Sequence, residues 1–216
     1  MAKNLVEKDF KTVESQMIMV SRWILMIQSF LVILSVFYGE IIFDAILPIG
    51  TNPAMAIMGG TVLIFLMVGE TINGGFGMAD LPIIYRSPMF NPIVSLVMIP
   101  IYVLLAYLFT QYTLYGPVGI AMALCSTYFI MNLVRVIIIK KLFGINMIKL
   151  RIFKVIIAAA ISSGLFHLLL NLSPIDLKSG SGIALGIPAM FIIYGLSMLI
   201  FAMEKSDIVK LKKRFS

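Results

Sequence analysis

A chain of 216 residues that is 61% hydrophobic and 12% charged, with a mean hydropathy of +1.05, is not an ordinary soluble domain, because soluble domains carry about a quarter charged residues. Its net charge of +7 raises nucleic acid as a partner, but the positive residues are sorted by side of a membrane, so no nucleic-acid partner is expected. A lone cysteine, Cys125, and a lone histidine, His167, exclude an intramolecular disulfide and a thiolate or imidazole metal site.

Residues 1–16 mix Lys3, Glu7, Lys8, Asp9, Lys11 and Glu14 with Leu5, Val6, Phe10 and Val13, which predicts a short amphipathic lead-in helix in the cytoplasm. The first span is predicted over 17–38, with Arg22 and Trp23 at headgroup depth. It exceeds a signal-peptide core and lacks a small-residue cleavage site, so it is expected to remain as an anchor. A loop over 39–52 holds Glu40 and Asp44 and is broken by Pro48 and Gly50. The second span, 53–72, contains Gly59-Gly60 and has Glu70 near its end. A Gly-rich connection, Asn73-Gly74-Gly75-Phe76-Gly77, leads through Asp80 and Arg86 to a third span over 91–110, with Pro100 at its middle.

Tyr115-Gly116-Pro117 supplies a tight bend, since Gly tolerates unusual backbone angles and Pro opens a helix without needing its N–H. The fourth span, 117–139, starts with Gly119, Ala121 and Ala123, which leave room for a neighbouring helix. A basic stretch comes next (Arg135, Lys140, Lys141, Lys149, Arg151, Lys154), then a fifth span over 152–172 and a polar loop with Asp176 and Lys178. The sixth span covers 183–203 with Pro188 inside it, and a basic tail runs over 204–216.

The pattern predicts an all-α polytopic membrane helix bundle of six transmembrane helices. Of 17 Lys and Arg residues, Lys178 alone falls on one side; the rest mark the other side as cytoplasmic and put both termini there. Contact with the lipid bilayer, whose inner leaflet is anionic, accounts for the positive excess.

The chain is short of catalytic groups, and no enzymatic activity, cofactor or metal is expected. There is no His-Glu-x-x-His and no Gly-x-x-x-x-Gly-Lys. Ser163 and His167 are one turn apart, but an intramembrane serine protease takes its nucleophile and base from different helices. What remains is polar residues in or beside spans, where ionisable groups are costly and mark functional candidates. Glu70 either faces a polar pathway or pairs with Arg86 or Arg22. Arg135, with Asn132 one turn before it, either lines that pathway or snorkels to the headgroups. Glu70, Arg86, Arg135 and Asn132 are the substrate-pathway candidates; Gly116, Pro117, Gly119, Ala121 and Ala123 are the hairpin and packing candidates.

The order of landmarks resembles a known family. Lys8-Asp9-Phe10-Lys11 precedes a span ending Phe37-Tyr38-Gly39-Glu40-Ile41-Ile42; an Arg-Ser-Pro connection (from Arg86) precedes Asn91; then come the hairpin Gly116 to Ala123 and Lys140-Lys141-Leu142-Phe143-Gly144-Ile145. Over roughly residues 5–205, this succession resembles the C-terminal part of polysaccharide and O-antigen flippases of the multidrug/oligosaccharidyl-lipid/polysaccharide exporter superfamily. The resemblance implies an inner-membrane protein of polysaccharide or lipopolysaccharide biosynthesis that moves an isoprenoid-linked saccharide by alternating access. Members have twelve to fourteen spans in two lobes of six, whereas six are predicted here. They look like four helices of the second lobe plus the final pair, so the chain is expected to be either a truncated or split product or a partner needing the missing N-terminal helices in trans. The family's cavity residues lie largely on those other helices and are not carried over. The alternative is a non-transporting six-span scaffold or assembly protein of an envelope-polysaccharide complex.

Overall fold

The computed structural model describes residues 5–46, 52–112, 116–172, 177 and 179–204. Every regular element among them is helical: α1 (Phe10–Ile46), α2 (Pro53–Gly77), α3 (Asp80–Arg86), α4 (Phe90–Tyr112), α5 (Gly116–Phe143), α6 (Leu150–Leu172) and α7 (Gly180–Ser197), which ends in a π-helical turn over Met198–Ala202. Six of these helices, α7 with its π turn counted as one, are long and apolar enough to cross a bilayer. Pro48 and Gly50 of the first predicted loop, Tyr115 of the predicted bend, Asp176 and Lys178 of the polar loop and the tail beyond Glu204 lie outside the described residues.

Several element boundaries differ from the sequence reading. The lead-in is not a separate helix through residue 16. Asp9 accepts a hydrogen bond from the Thr12 amide at 3.2 Å, an N-terminal cap, and α1 then runs unbroken for 37 residues. Hydrogen bonding from the Thr12 side chain, with this amide bond beside it, holds the Asp9 carboxyl below its ordinary value. At the other end α1 continues through Gly39, Glu40 and Asp44, which the sequence reading puts in a loop. The Gly-rich run 73–77 is also helical. Its glycines make room for neighbouring side chains: a Cβ on Gly74 would meet Gln28 Oε1, and one on Gly75 would lie 2.5 Å from Leu25 Cδ2.

The chain divides into two compact units, 1–149 and 150–216. In the first, α2 lies between α1 and α5, and α4 pairs with α5. Near the outer ends of α1 and α2 the backbones touch, since a Cβ on Gly39 would be 3.2 Å from Gly60 O. Gly119 does the same for the α4–α5 hairpin, its Cβ position being 2.8 Å from Phe109 C and Thr110 N. At the inner end an apolar cluster ties the termini of these helices together. Val13 and Met17 of α1, Ile83 of α3, Val136 and Ile139 of α5, and Ile145 and Met147 of the next segment are all buried in it. Gly144, at φ +68°, ends α5 in the left-handed conformation that glycine adopts without strain. The next residues fold back, with the Asn146 amide donating to Glu14 Oε2 at 2.7 Å and Lys149 pairing with Glu14 Oε1 at 2.9 Å.

In the second unit α6 packs on α7 and its π-helical turn. Gly182, Gly186, Met190, Tyr194 and Ser197 form the buried face of α7 at near-fourfold spacing, the one-sided stripe of a helix in a hairpin. Arg151 pairs with Glu204 at 3.0 Å.

Candidate functional site: a polar seam between α2 and α5

α2 and α5 run side by side in the same direction, and their contact carries a row of polar side chains. Gly69 opens it: a Cβ there would lie 3.2 Å from Cys125 Cα and 3.3 Å from the Tyr128 ring. That close approach sets the register of the polar pairs toward the inner end. One residue on, the Glu70 carboxylate couples to the Tyr128 hydroxyl. One turn further, Asn132 Nδ2 lies 3.4 Å from Asn73 Oδ1 and donates to the Tyr128 carbonyl at 2.8 Å. At the inner end, Arg135 Nε meets Asp80 Oδ1 of α3 at 2.6 Å. Tyr128, Asn132 and Arg135 fall on one face of α5 because spacings of four and three residues recur at helical period.

The seam grades from open to closed. Glu70 is exposed on the flank of α2. Asn132 is 2% exposed, and its Oδ1 is buried without a hydrogen-bond partner. Arg135 is 6% exposed. Its contact with Asp80 is charge on charge: neither Nε nor Oδ1 makes a hydrogen bond of proper geometry. Burial raises the Asp80 carboxyl above its usual value, against the lowering pull of Arg135 and of a hydrogen bond from Asn91. Desolvation thus outweighs the ion pair, as is common for buried pairs whose hydrogen bonding is incomplete.

The substrate-pathway candidates separate. Glu70, Asn132 and Arg135 all lie on this seam, at successive levels. Arg86 does not join them; it is exposed at the end of α3 with its guanidinium 5.8 Å from the centre of the Phe143 ring. Glu70 therefore has Tyr128 as its neighbour and not Arg86. Arg22 is buried on α1. Of the hairpin residues, Gly119, Ala121 and Ala123 are buried, whereas Gly116 has open space around it and Pro117 is exposed. Ser162 donates to the Ala158 carbonyl at 2.8 Å, while Ser163 is half-buried and His167 exposed. Among the described residues no cluster of His, Cys, Asp and Glu is placed to hold a metal ion.

Sequence reading missed the partners: Asn73, Asp80, Asn91 and Tyr128. The spacing Tyr128, Asn132, Arg135 was available as a polar stripe on an otherwise apolar span. Asp80 was hidden because it lies in the connection after α2, and only the packing of α3 against α5 brings it to Arg135.

Helices of this length, composition and packing define the class: the chain is a polytopic helical membrane protein. No family model, characterised protein or solved structure matches it.

Proposed function

We propose that the chain is a transport protein of the polysaccharide flippase type, acting in the inner membrane on an isoprenoid-linked saccharide. The observation that carries this reading is the polar seam within the spans of the first unit, with a carboxylate exposed at Glu70 and a buried cation at Arg135. Ionisable groups inside a membrane are costly and concentrate on substrate pathways. The division of the chain after Lys149 into four long helices and a final pair accords with the family resemblance, which implies that grouping. A saccharide head passing along such a seam would exchange water for Glu70, Tyr128 and Asn132, with its lipid tail left in the bilayer. The reading assigns no bond-making chemistry to the chain.

The test is cysteine accessibility at position 70. In a Cys125→Ser background, Glu70→Cys is expected to react with a membrane-impermeant maleimide, and a translocated saccharide-lipid is expected to slow that reaction. No labelling from either face would remove the water-filled pathway and leave the scaffold alternative standing.

A further inference from the structure

Asp80 and Arg135 form the only part of the seam in which two opposite charges meet among the described residues. They close its inner end, between the α2–α4 connection and α5. Arginine presents a planar fork suited to phosphate oxygens, and an aspartate is the nearest thing to a phosphate that the chain can place against it. The contact is short, buried on the Arg135 side and half-buried on the Asp80 side, and its two atoms make no directional hydrogen bond, so the pair is held by charge. Arg86 at the end of α3 and Lys140 and Lys141 within two turns of Arg135 on α5 are exposed cations on the same two elements.

We propose that Asp80 is a built-in stand-in for a phosphate, masking Arg135 until Asp80 takes up a proton and cedes the guanidinium to a phosphate or diphosphate headgroup. The step is a proton transfer and an exchange of counter-ions: a proton enters at the Asp80 carboxylate, its ion pair with Arg135 parts, and a phosphate oxygen takes its place. Asn91 remains to hydrogen-bond the Asp80 carboxyl.

Two features support this arrangement. Burial already holds the Asp80 carboxyl above its usual value despite the adjacent cation, so the charged form is the one under strain. The sign is set by that direction: the proton is retained by the packed state at a pH where an exposed aspartate has lost it, and the closed pair is weakened as pH falls through the raised value. The other charged groups on the surrounding elements do not replace Asp80. Arg86 shares α3 and stacks over Phe143, Glu14 on α1 is engaged with Lys149 and Asn146, Arg22 on α1 is a further buried cation, and Glu70 lies two to three turns up the seam beside Tyr128. The headgroup belongs either to an isoprenoid lipid or to a free phosphate; the identity of the tail rests on the flippase reading, while the masking of Arg135 does not.

The full-length chain in nanodiscs is titrated with farnesyl pyrophosphate and, separately, with inorganic pyrophosphate at about pH 8 and about pH 5. Binding to the wild type is expected to tighten about tenfold on acidification, as protonation removes the competing Asp80 carboxylate from Arg135. The ligand's own protonation near pH 6 works in the opposite direction, so tightening is diagnostic of the protein. Asp80→Asn is expected to bind tightly at both pH values, Arg135→Gln weakly at both, and Asp80→Glu to keep the wild-type profile. Tightening with both ligands identifies the headgroup as sufficient; tightening with farnesyl pyrophosphate alone identifies a lipid. A wild-type profile that is flat or weakens with acid overturns the proposal, as does an Asp80→Asn profile that still tightens. Because the wild-type profile needs no variant, a folding defect in Asp80→Asn leaves the test intact. Saccharide translocation by vesicles whose protein shows a flat profile would sink the latch and keep the flippase reading; acid-tightened binding without translocation would do the reverse.

Discussion

Single glycines decide where helices touch, and the structure separates those that carry contact from those that do not. A Cβ on Gly60 would lie 2.8 Å from Glu40 N and 3.0 Å from Gly39 C, and backbone atoms inside a helix cannot shift aside. Gly164 and Gly195 have nothing within 4 Å of the same position. Gly60→Ala is therefore expected to push α1 from α2 at a cost of about 1–3 kcal/mol. Gly164→Ala should be neutral or stabilising by roughly 0.5–1 kcal/mol through helix propensity. Thermal unfolding in detergent distinguishes them, and equal melting temperatures for Gly60→Ala and the wild type would refute the contact. The same logic reinterprets Asn73-Gly74-Gly75-Phe76-Gly77. Its composition signals a loop, yet Gln28 and Leu25 fill the space two of its glycines leave.

Among the elements, the inner end of α1 works as a clamp. Glu14 reaches across to the segment after α5, where it accepts from the Asn146 amide and pairs with Lys149. The two bonds are unequal. The Lys149 side chain is 42% exposed, and ion pairs at such positions are worth about 0–1 kcal/mol. A backbone amide bonded to a carboxylate contributes more, about 1.5–3 kcal/mol. Glu14→Ala is thus expected to speed hydrogen exchange at the Asn146 amide and to loosen residues 144–149, whereas Lys149→Ala should change little. Similar exchange rates in the two variants would show that the ion pair, and not the amide bond, holds the segment.

On the scale of the whole molecule, orientation is the property most open to a direct check. The cationic sorting predicts that α3 faces the cytoplasm and that the start of α7 faces the opposite side. In a Cys125→Ser background, Tyr85→Cys is expected to react with an impermeant thiol reagent only from the cytoplasmic face and Ser181→Cys only from the other; both positions are exposed. Labelling of both from one face would overturn the orientation. The partition into 1–149 and 150–216 is a second property of this scale. Its boundary follows the segment 145–149, which Gly144 sets off from α5 and Glu14 holds to α1.

The amino-acid sequence by itself determined the class and the number of spans. Bilayer thickness imposes a length, and hydrocarbon imposes a composition, on each crossing segment independently of its neighbours. It also brought Glu70, Asn132 and Arg135 to notice, because a polar group within a span is conspicuous without any knowledge of packing. Where each helix ends, and what those polar groups face, only the tertiary structure decided. Residues 73–77 read as a connection until Gln28 and Leu25 occupy the space beside their glycines, and Asp80 reads as part of that connection until α3 sets it 2.6 Å from Arg135. Both depend on residues distant in the chain, whose proximity no local pattern encodes.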